Sequence, residues 1–162
     1  MTTVTTTPDQ DAVVAEIHIA APPARVFQAL IDREQALQWV KNDAYDTVVW
    51  DFDARPGGRW HWVVRENDPA AKHAATYKVS EFDHWGEVLE IDPPRLLAYT
   101  WFTNFHDPPS IRTVVRWELS PVDGGTHLKV THSGLAKLPK ARADYSQGWP
   151  GLLQAIRDFV TK

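Results

Sequence analysis

The stretch "VVWDFDARPGGRWHWVV", residues 48 to 64, predicts two β-strands joined by a tight turn. Pro56 suits the first corner of such a turn, and Gly57 or Gly58 suits the corner that needs a positive φ. Apolar and polar residues alternate on both sides of the turn, which is the pattern of half-buried strands. The stretch is therefore predicted to be a β-hairpin.

Large aromatic residues occupy one face of each predicted strand. Trp50 and Phe52 fall at alternate positions of the first strand, and Trp60 and Trp62 fall at alternate positions of the second. Alternate positions share a face of a sheet. These rings form either ordinary core or the wall of a pocket for an apolar guest.

The remaining hydrophobic pattern predicts an α+β fold. Alternation over 13–19 indicates a strand, and two short helices follow it before several further strands. A second hairpin is predicted around the turn "PVDGG", and a long helix ends the chain. Pro150 lies either in the first turn of that helix or at a kink inside a longer one. Residues 66–80 are predicted to be a loop or a weak extension, and the Thr-rich residues 1–11 a disordered tail before a single domain spanning 12–162.

The composition excludes several functional classes. With 17 Lys and Arg against 21 Asp and Glu, the net charge is −4, and no basic block suggests nucleic acid or membrane as a partner. The absence of Cys rules out disulfides and Cys-based zinc sites, and the histidines show no metal-ligand spacing. No cofactor motif is present, so no cofactor is predicted. The start lacks a secretory signal pattern, and a cytoplasmic protein is expected.

Five motifs in register resemble the family related to the activator of the heat-shock-protein-90 ATPase. This family is a branch of the START/SRPBCC superfamily, which includes polyketide cyclases, aromatase-like domains and the birch-pollen-allergen fold. The resemblance covers about residues 12–161, and its motifs are "AAPPARVFQAL", "ARPGGRW", "GEVLEIDPPRLLAYTW", "GGTHLKVTHSGL" and "GWPGLLQAI".

The resemblance implies a helix-grip fold. In that fold a curved antiparallel sheet, here of about six to seven strands, wraps around the long C-terminal helix and encloses an apolar cavity. The aromatic faces predicted from alternation would then point into the cavity. The predicted ligand-binding residues are Trp39, Trp60, Trp62, Leu97, Tyr99, Trp101, Trp117, His132 and Trp149.

Three polar residues are weak catalytic candidates. His132 has the inward parity of its strand, where it either moves a proton or is a structural histidine bonded to a backbone carbonyl. Tyr99 either anchors a ligand oxygen or satisfies a neighbour. Glu87 shares parity with apolar residues, so it either enters the cavity or is exposed at the sheet end.

Asp51 and Asp53 resemble a pair of catalytic carboxylates, but they lie opposite the Trp50 face of their strand. We expect them to point to solvent. A bridge across the hairpin to Arg59 or Arg65 explains them better than catalysis.

Three functions stay open at this point. The first is binding of a small hydrophobic or aromatic ligand, and the second is a cyclase/aromatase-like enzyme acting on such a ligand. The third, less favoured, is a co-chaperone-like protein interaction. A homodimer contact through an exposed tryptophan such as Trp50 or Trp85 is a further alternative. If the tryptophan rings fill the cavity themselves, a scaffold role becomes the better interpretation.

Overall fold

The computed structural model describes residues 2–41, 43–67 and 79–162. Eight antiparallel strands form one sheet in the order β1-β2-β8-β7-β6-β5-β4-β3, with two short helices after β2 and a long helix at the end. This confirms the predicted α+β architecture. The elements are β1 (Thr2–Thr6), β2 (Val13–Ile19), α1 (Pro23–Ile31), α2 (Arg33–Trp39), β3 (Tyr45–Phe52), β4 (Arg59–Glu66), β5 (Phe82–Asp92), β6 (Leu96–Thr103), β7 (Thr113–Val122), β8 (Gly125–Ser133) and α3 (Pro139–Val160).

One strand more than expected comes from the residues predicted to be a disordered tail. Thr2 pairs with Ile17 and Thr6 pairs with Val13, so β1 is an edge strand beside β2. The disorder prediction is wrong here because Thr and Val are β-branched and favour a strand despite their low hydrophobicity. The Thr7 hydroxyl accepts a hydrogen bond from the Ala12 amide at 3.0 Å and so helps to close the turn between the two strands.

The predicted hairpin is present as β3 and β4. Its turn has Gly57 at φ +79°, and a Cβ on Gly58 would lie 2.1 Å from the Asp53 carbonyl oxygen. Both glycines are therefore required by the turn. The expected bridge from Asp53 to Arg59 or Arg65 is wrong, since Asp53 pairs at 2.7 Å with Arg55 inside the turn itself.

The long helix α3 begins at Pro139 and contains Pro150 in its interior, so the first-turn alternative for this proline is wrong, while the kink stays a prediction. The helix packs across β1 and β2. Leu153 and Ile156 of α3 are completely buried in the same core as Val13 and Ile17 of β2. This contact fixes the helix over one half of the sheet.

Most of the segment predicted as a loop or weak extension lies outside the described residues, which omit 68–78. Glu66, at the start of that prediction, is instead the last residue of β4. Among the helices that the structure describes, none is both long and apolar enough to cross a membrane.

Candidate ligand-binding cavity

Two adjoining chambers lie under the concave side of the sheet. The inner chamber has a volume of about 30 Å³, and the outer chamber, which opens to the surface, has about 250 Å³. Val40, Trp62 and Leu152 line both, so the chambers are neighbours. The inner wall is completed by Leu30, Trp39, Trp50, Phe52, Trp60, Leu97, Tyr99, Trp101, Trp117 and Trp149, and the outer wall by Tyr45, Val64, Phe82, His84, Phe105, Asp144, Tyr145 and Gly148.

The rings of the inner chamber fill most of the space that they enclose. Trp60 lies 4.9 Å from Trp101 between ring centroids, and Trp101 lies 5.6 Å from Trp149. The remaining 30 Å³ is about the share of one water molecule. A guest larger than water therefore has room only in the outer chamber.

The predicted inward set is brought together by the fold, with one exception. Every predicted ligand-binding residue except His132 lines the inner chamber. Alternation identified these positions because β4, β6 and β7 keep a regular register through them. Whether the set binds a ligand stays a prediction.

A glycine in β5 allows one of these rings to take its position. Trp60 of β4 donates its indole N–H to the Thr100 carbonyl of β6 at 2.8 Å, which requires the ring to cross β5. A Cβ on Gly86 would lie 2.6 Å from the Trp60 Nε1 atom. Glycine in a strand interior is typical of such a close approach.

His132 is enclosed in a chain of hydrogen bonds. Trp149 donates its indole N–H to His132 Nδ1 at 3.2 Å, and the Thr113 hydroxyl donates to the Trp101 carbonyl at 2.6 Å. Because Nδ1 accepts, Nε2 carries the proton and donates to Thr113 Oγ1 at 2.9 Å. Burial lowers the pKa of His132 well below its usual value. Both ring nitrogens are engaged, which favours the structural alternative over proton transfer.

The other two catalytic candidates, Tyr99 and Glu87, lie on opposite faces of the sheet. Tyr99 lines the inner chamber, and its hydroxyl accepts the indole N–H of Trp117 at 2.9 Å, while burial raises the pKa of Tyr99. Glu87 lines a groove on the opposite face of the sheet, beside Arg59 and Trp85. The prediction that Glu87 enters the cavity is therefore wrong, and the exposed alternative applies.

Glu87 was matched in parity with Leu89 and Ile91, but Leu89 points outward while Ile91 packs against the core. Leu89 is 39% exposed, whereas Val88 is 1% exposed. A register irregularity between Val88 and Glu90 interrupts the alternation of β5 at this point. Asp51 lines the same groove as Glu87 on the face of the sheet away from the chambers, as expected for the face opposite Trp50.

The tryptophan N–H groups of the inner chamber are partnered with one exception. The Trp50 side chain is 9% exposed, and its Nε1 atom is buried without a hydrogen-bond partner. An unsatisfied buried donor of this kind costs about 1–3 kcal/mol. The partnered N–H groups are those of Trp39 with Ala29 O, Trp60 with Thr100 O, Trp62 with Thr47 Oγ1, Trp101 with Tyr145 OH, Trp117 with Tyr99 OH and Trp149 with His132 Nδ1.

The outer chamber contains polar residues that the sequence analysis missed. His84 stacks on Trp62 at 4.7 Å and bonds to the Trp62 carbonyl through Nδ1 at 3.0 Å. The Tyr145 hydroxyl lies 2.8 Å from Nε2 of His106. Burial lowers the pKa of His84 to about 3 and that of His106 to about 4, so both are neutral at pH 7.

Part of this set carried a signal in the sequence. Tyr145 precedes Trp149 by one helical turn, so the two share a face of α3. His84 follows Phe82 at strand spacing. His106 lies in a loop where no periodicity applies. Within residues 2–41, 43–67 and 79–162, no group of three His, Cys, Asp or Glu could hold a metal ion.

Solved structures share this fold at low sequence identity. A protein from Mesorhizobium loti is 26% identical, with a TM-score of 0.68, and the match covers 93% of this chain and 96% of that one. An AHSA1-like protein from Aeromonas hydrophila is 20% identical, with a TM-score of 0.71 and coverage of 93% and 92%. CalU16 from Micromonospora echinospora is 18% identical, with a TM-score of 0.63 and coverage of 99% and 83%.

The sequence itself identifies the family. No curated protein matches the chain significantly. The family model for "Activator of Hsp90 ATPase homolog 1-like protein" matches residues 20–161, which include the helices and every strand except β1 and β2. The earlier resemblance is thereby confirmed. The chain belongs to the activator of Hsp90 ATPase homolog 1-like family.

Proposed function

We propose that the protein binds a small, neutral aromatic molecule of one or two rings in the outer chamber. The observation that carries the proposal is a space of about 250 Å³ walled by Tyr45, Trp62, Phe82 and Phe105. An apolar cavity of about 150 Å³ is enough for benzene. Membership of a family with this concave fold agrees with ligand binding without naming a ligand.

The size of the chamber limits the class of ligand. Its volume of about 250 Å³ lies below the roughly 300–1,000 Å³ of sites for drug-sized molecules. Fatty acids and extended polyketide chains would therefore leave most of their length in water. A compact ring system can place its whole surface against the wall.

The charge of the chamber also limits the ligand. Among the described residues that line the outer chamber, Asp144 is the one that carries a formal charge at neutral pH, since His84 is neutral. A carboxylate ligand would meet this like charge, and removing it from water would be costly. Neutral rings are favoured.

The enzyme alternative has less support from the geometry. Its three candidates do not converge on the cavity: Glu87 lies on the opposite face, and His132 has both nitrogens engaged. Tyr99 alone reaches the inner chamber. General acid–base catalysis needs a group within hydrogen-bond reach of the reacting atom. We therefore restrict the proposal to binding and do not include catalysis.

Titration of naphthalene and indane, followed by tryptophan fluorescence, tests the proposal. We expect saturable quenching in the wild type. The dissociation constant obtained from it is expected to rise about tenfold or more in Trp62→Ala, because Trp62 lines both chambers. Trp85→Ala is the matched control, since Trp85 lies on the opposite face of the sheet. Circular dichroism shows whether each variant is folded.

Two outcomes would contradict the proposal. One is the absence of saturable binding by either probe up to its solubility limit. The other is an equal loss of affinity in Trp62→Ala and Trp85→Ala, which would place the probe outside the chambers.

A further inference from the structure

We propose that the ligand carries a neutral hydrogen-bond-accepting oxygen, of the carbonyl class, which binds the indole N–H of Trp50 in the inner chamber. This inference deepens the proposed function and rests on it. It assigns the rings of the ligand to the outer chamber and its oxygen to the inner one. An aromatic ketone or quinone of one or two rings has this shape.

The first observation is the unused donor. Trp50 Nε1 is buried and has no hydrogen-bond partner, whereas each of the other tryptophans that line the inner chamber donates to a named oxygen or nitrogen. Native proteins satisfy nearly all such buried groups, and exceptions often mark a place for a ligand or water. An indole N–H only donates, so its missing partner is an acceptor.

The second observation is the space beside the Trp50 ring. Trp50 lines the inner chamber, whose volume of about 30 Å³ suits one water or one oxygen atom but no ring. Trp62 contacts Trp50 at 5.7 Å between ring centroids and lines both chambers. A group that projects from a ring in the outer chamber therefore has a neighbouring space of the right size.

The third observation is the neutrality of the wall. The described residues that line the inner chamber are apolar or aromatic, and none of them carries a formal charge. A carboxylate or phosphate oxygen would be desolvated there without a cation among these residues. Tyr99 also lines the chamber, and its hydroxyl accepts from Trp117, which leaves its own proton for the second lone pair of a carbonyl oxygen.

The test compares indanone with indane, which share a two-ring skeleton and differ in the carbonyl group. Calorimetric titration gives both affinities for the wild-type chain and for Trp50→Phe, which keeps a ring but lacks the N–H. We expect the indanone-to-indane affinity ratio to fall about tenfold in Trp50→Phe, which corresponds to about 1.4 kcal/mol. Trp85→Phe, a change of the same type on the outer face, is expected to keep the wild-type ratio.

NMR of the indole N–H protons gives a second readout that uses the wild-type chain. The Trp50 resonance, assigned on the wild-type chain by nuclear Overhauser contacts with the neighbouring rings of Trp39 and Trp62, is expected to move downfield with indanone and to stay in place with indane. A Trp50 proton that does not respond to indanone at saturation overturns the inference, even if Trp50→Phe fails to fold.

The failure of the inference can be told from the failure of the proposed function. Equal affinity ratios in wild type and Trp50→Phe, with both probes bound, overturn the assigned oxygen site and leave aromatic binding intact. A loss of both affinities by the same factor means that Trp50 contributes shape alone, which also overturns the inference. No binding of either probe to the wild type overturns the proposed function and this inference with it.

Discussion

The two halves of the sheet bury their inner faces by different means. In one half, β1, β2, β7 and β8, the inward residues are mostly aliphatic, and α3 lies directly on β1 and β2. We call this the aliphatic half. In the aromatic half, β3 to β6, rings bridge the distance to the helix, as where Trp101 meets Trp149 at 5.6 Å.

The difference explains where space remains in the molecule. Aliphatic side chains such as Ile17, Leu128 and Leu153 belong to one core cluster and are almost completely buried. Planar rings such as Trp60 and Trp101 are rigid and meet at tilted angles, so gaps persist between them. Both chambers lie on the aromatic side. The aliphatic half is expected to carry the stability, and the aromatic half the binding.

Acidification is expected to give the largest effect, because it acts on three histidines placed around the aromatic half. His84 and His132 lie 5.1 and 5.3 Å from Trp101, and His106 lies 5.8 Å from Tyr145. Burial lowers the pKa of each below the unfolded value of 6.5. Their neutral forms favour the folded state fully above about pH 6.5.

As pH falls below that value, the unfolded chain takes up protons that the folded chain does not. We therefore expect the free energy of unfolding to decrease by up to about 1.4 kcal/mol per pH unit for each histidine between about pH 6.5 and 4. Urea unfolding at several pH values measures this slope. His84→Gln is expected to remove about one third of it. An unchanged slope in His84→Gln would contradict the assignment.

A pair of adjacent leucines on α3 tests the contrast between the halves directly. Leu153 is completely buried in the core, whereas its neighbour Leu152 is half-buried and lines both chambers. We expect Leu153→Ala to cost about 2–5 kcal/mol of unfolding free energy, the usual range for a cavity in a packed core. Leu152→Ala is expected to cost less, because its methyl groups already face open space. Equal losses in urea unfolding would show that the two halves are packed alike.

Trp39 and Trp50 are in edge contact and differ in the hydrogen bonding of their N–H groups. Substituting each by Phe separates the contribution of the ring to the free energy of unfolding from that of the N–H. Their centroids lie 6.0 Å apart, and both are nearly buried, but only Trp39 has a partner, the Ala29 carbonyl at 2.7 Å. Trp39→Phe leaves that carbonyl unpaired, whereas Trp50→Phe removes an unsatisfied donor. We expect Trp39→Phe to be less stable than Trp50→Phe by about 1 kcal/mol or more in urea unfolding. The reverse order would mean that Trp50 has an unseen acceptor.

The smallest effect is expected on the outer face of the aromatic half. Trp85 stacks on Phe102 at 6.2 Å and is 36% exposed. Such a cross-strand pair contributes about 0.2–1 kcal/mol, so Trp85→Ala is expected to lower the free energy of unfolding by no more than this. A larger loss would indicate that the exposed ring is covered in solution, as in the homodimer alternative. Analytical ultracentrifugation of the wild type and of Trp85→Ala would show whether a homodimer forms through this ring.

Residue alternation was sufficient to predict most of the cavity wall. Trp60, Trp62, Tyr99 and Trp101 lie in strands of regular register, so their faces follow from position alone. The α+β order and both hairpins could be predicted for the same reason, since turn residues and periodicity are local properties.

The failures arise where a local pattern is overruled by distant contacts. The β-branched start forms β1 only by pairing with the edge of β2, and the irregular register of β5 after Val88 puts Glu87 and Ile91 on opposite faces of the sheet. The volume of the inner chamber depends on how the rings of Trp50, Trp60 and Trp101 tilt, and the missing partner of Trp50 Nε1 depends on which acceptors surround it. Neither property is encoded in a window of neighbouring residues.

The pairing of β2 with β8 has a consequence for how this protein is made. Val13 pairs with His132, so a strand translated early receives its second neighbour only after the last strand has left the ribosome. About 100 residues separate the completion of β3 from that of α3, which corresponds to roughly 5 to 20 s of translation. During that time the rings of β3 to β6 lack the cover of α3, and long-range pairing of this kind is slow to form. The rate of translation through the second hairpin and α3 therefore determines how long the aromatic face of β3 to β6 stays exposed to solvent and open to aggregation.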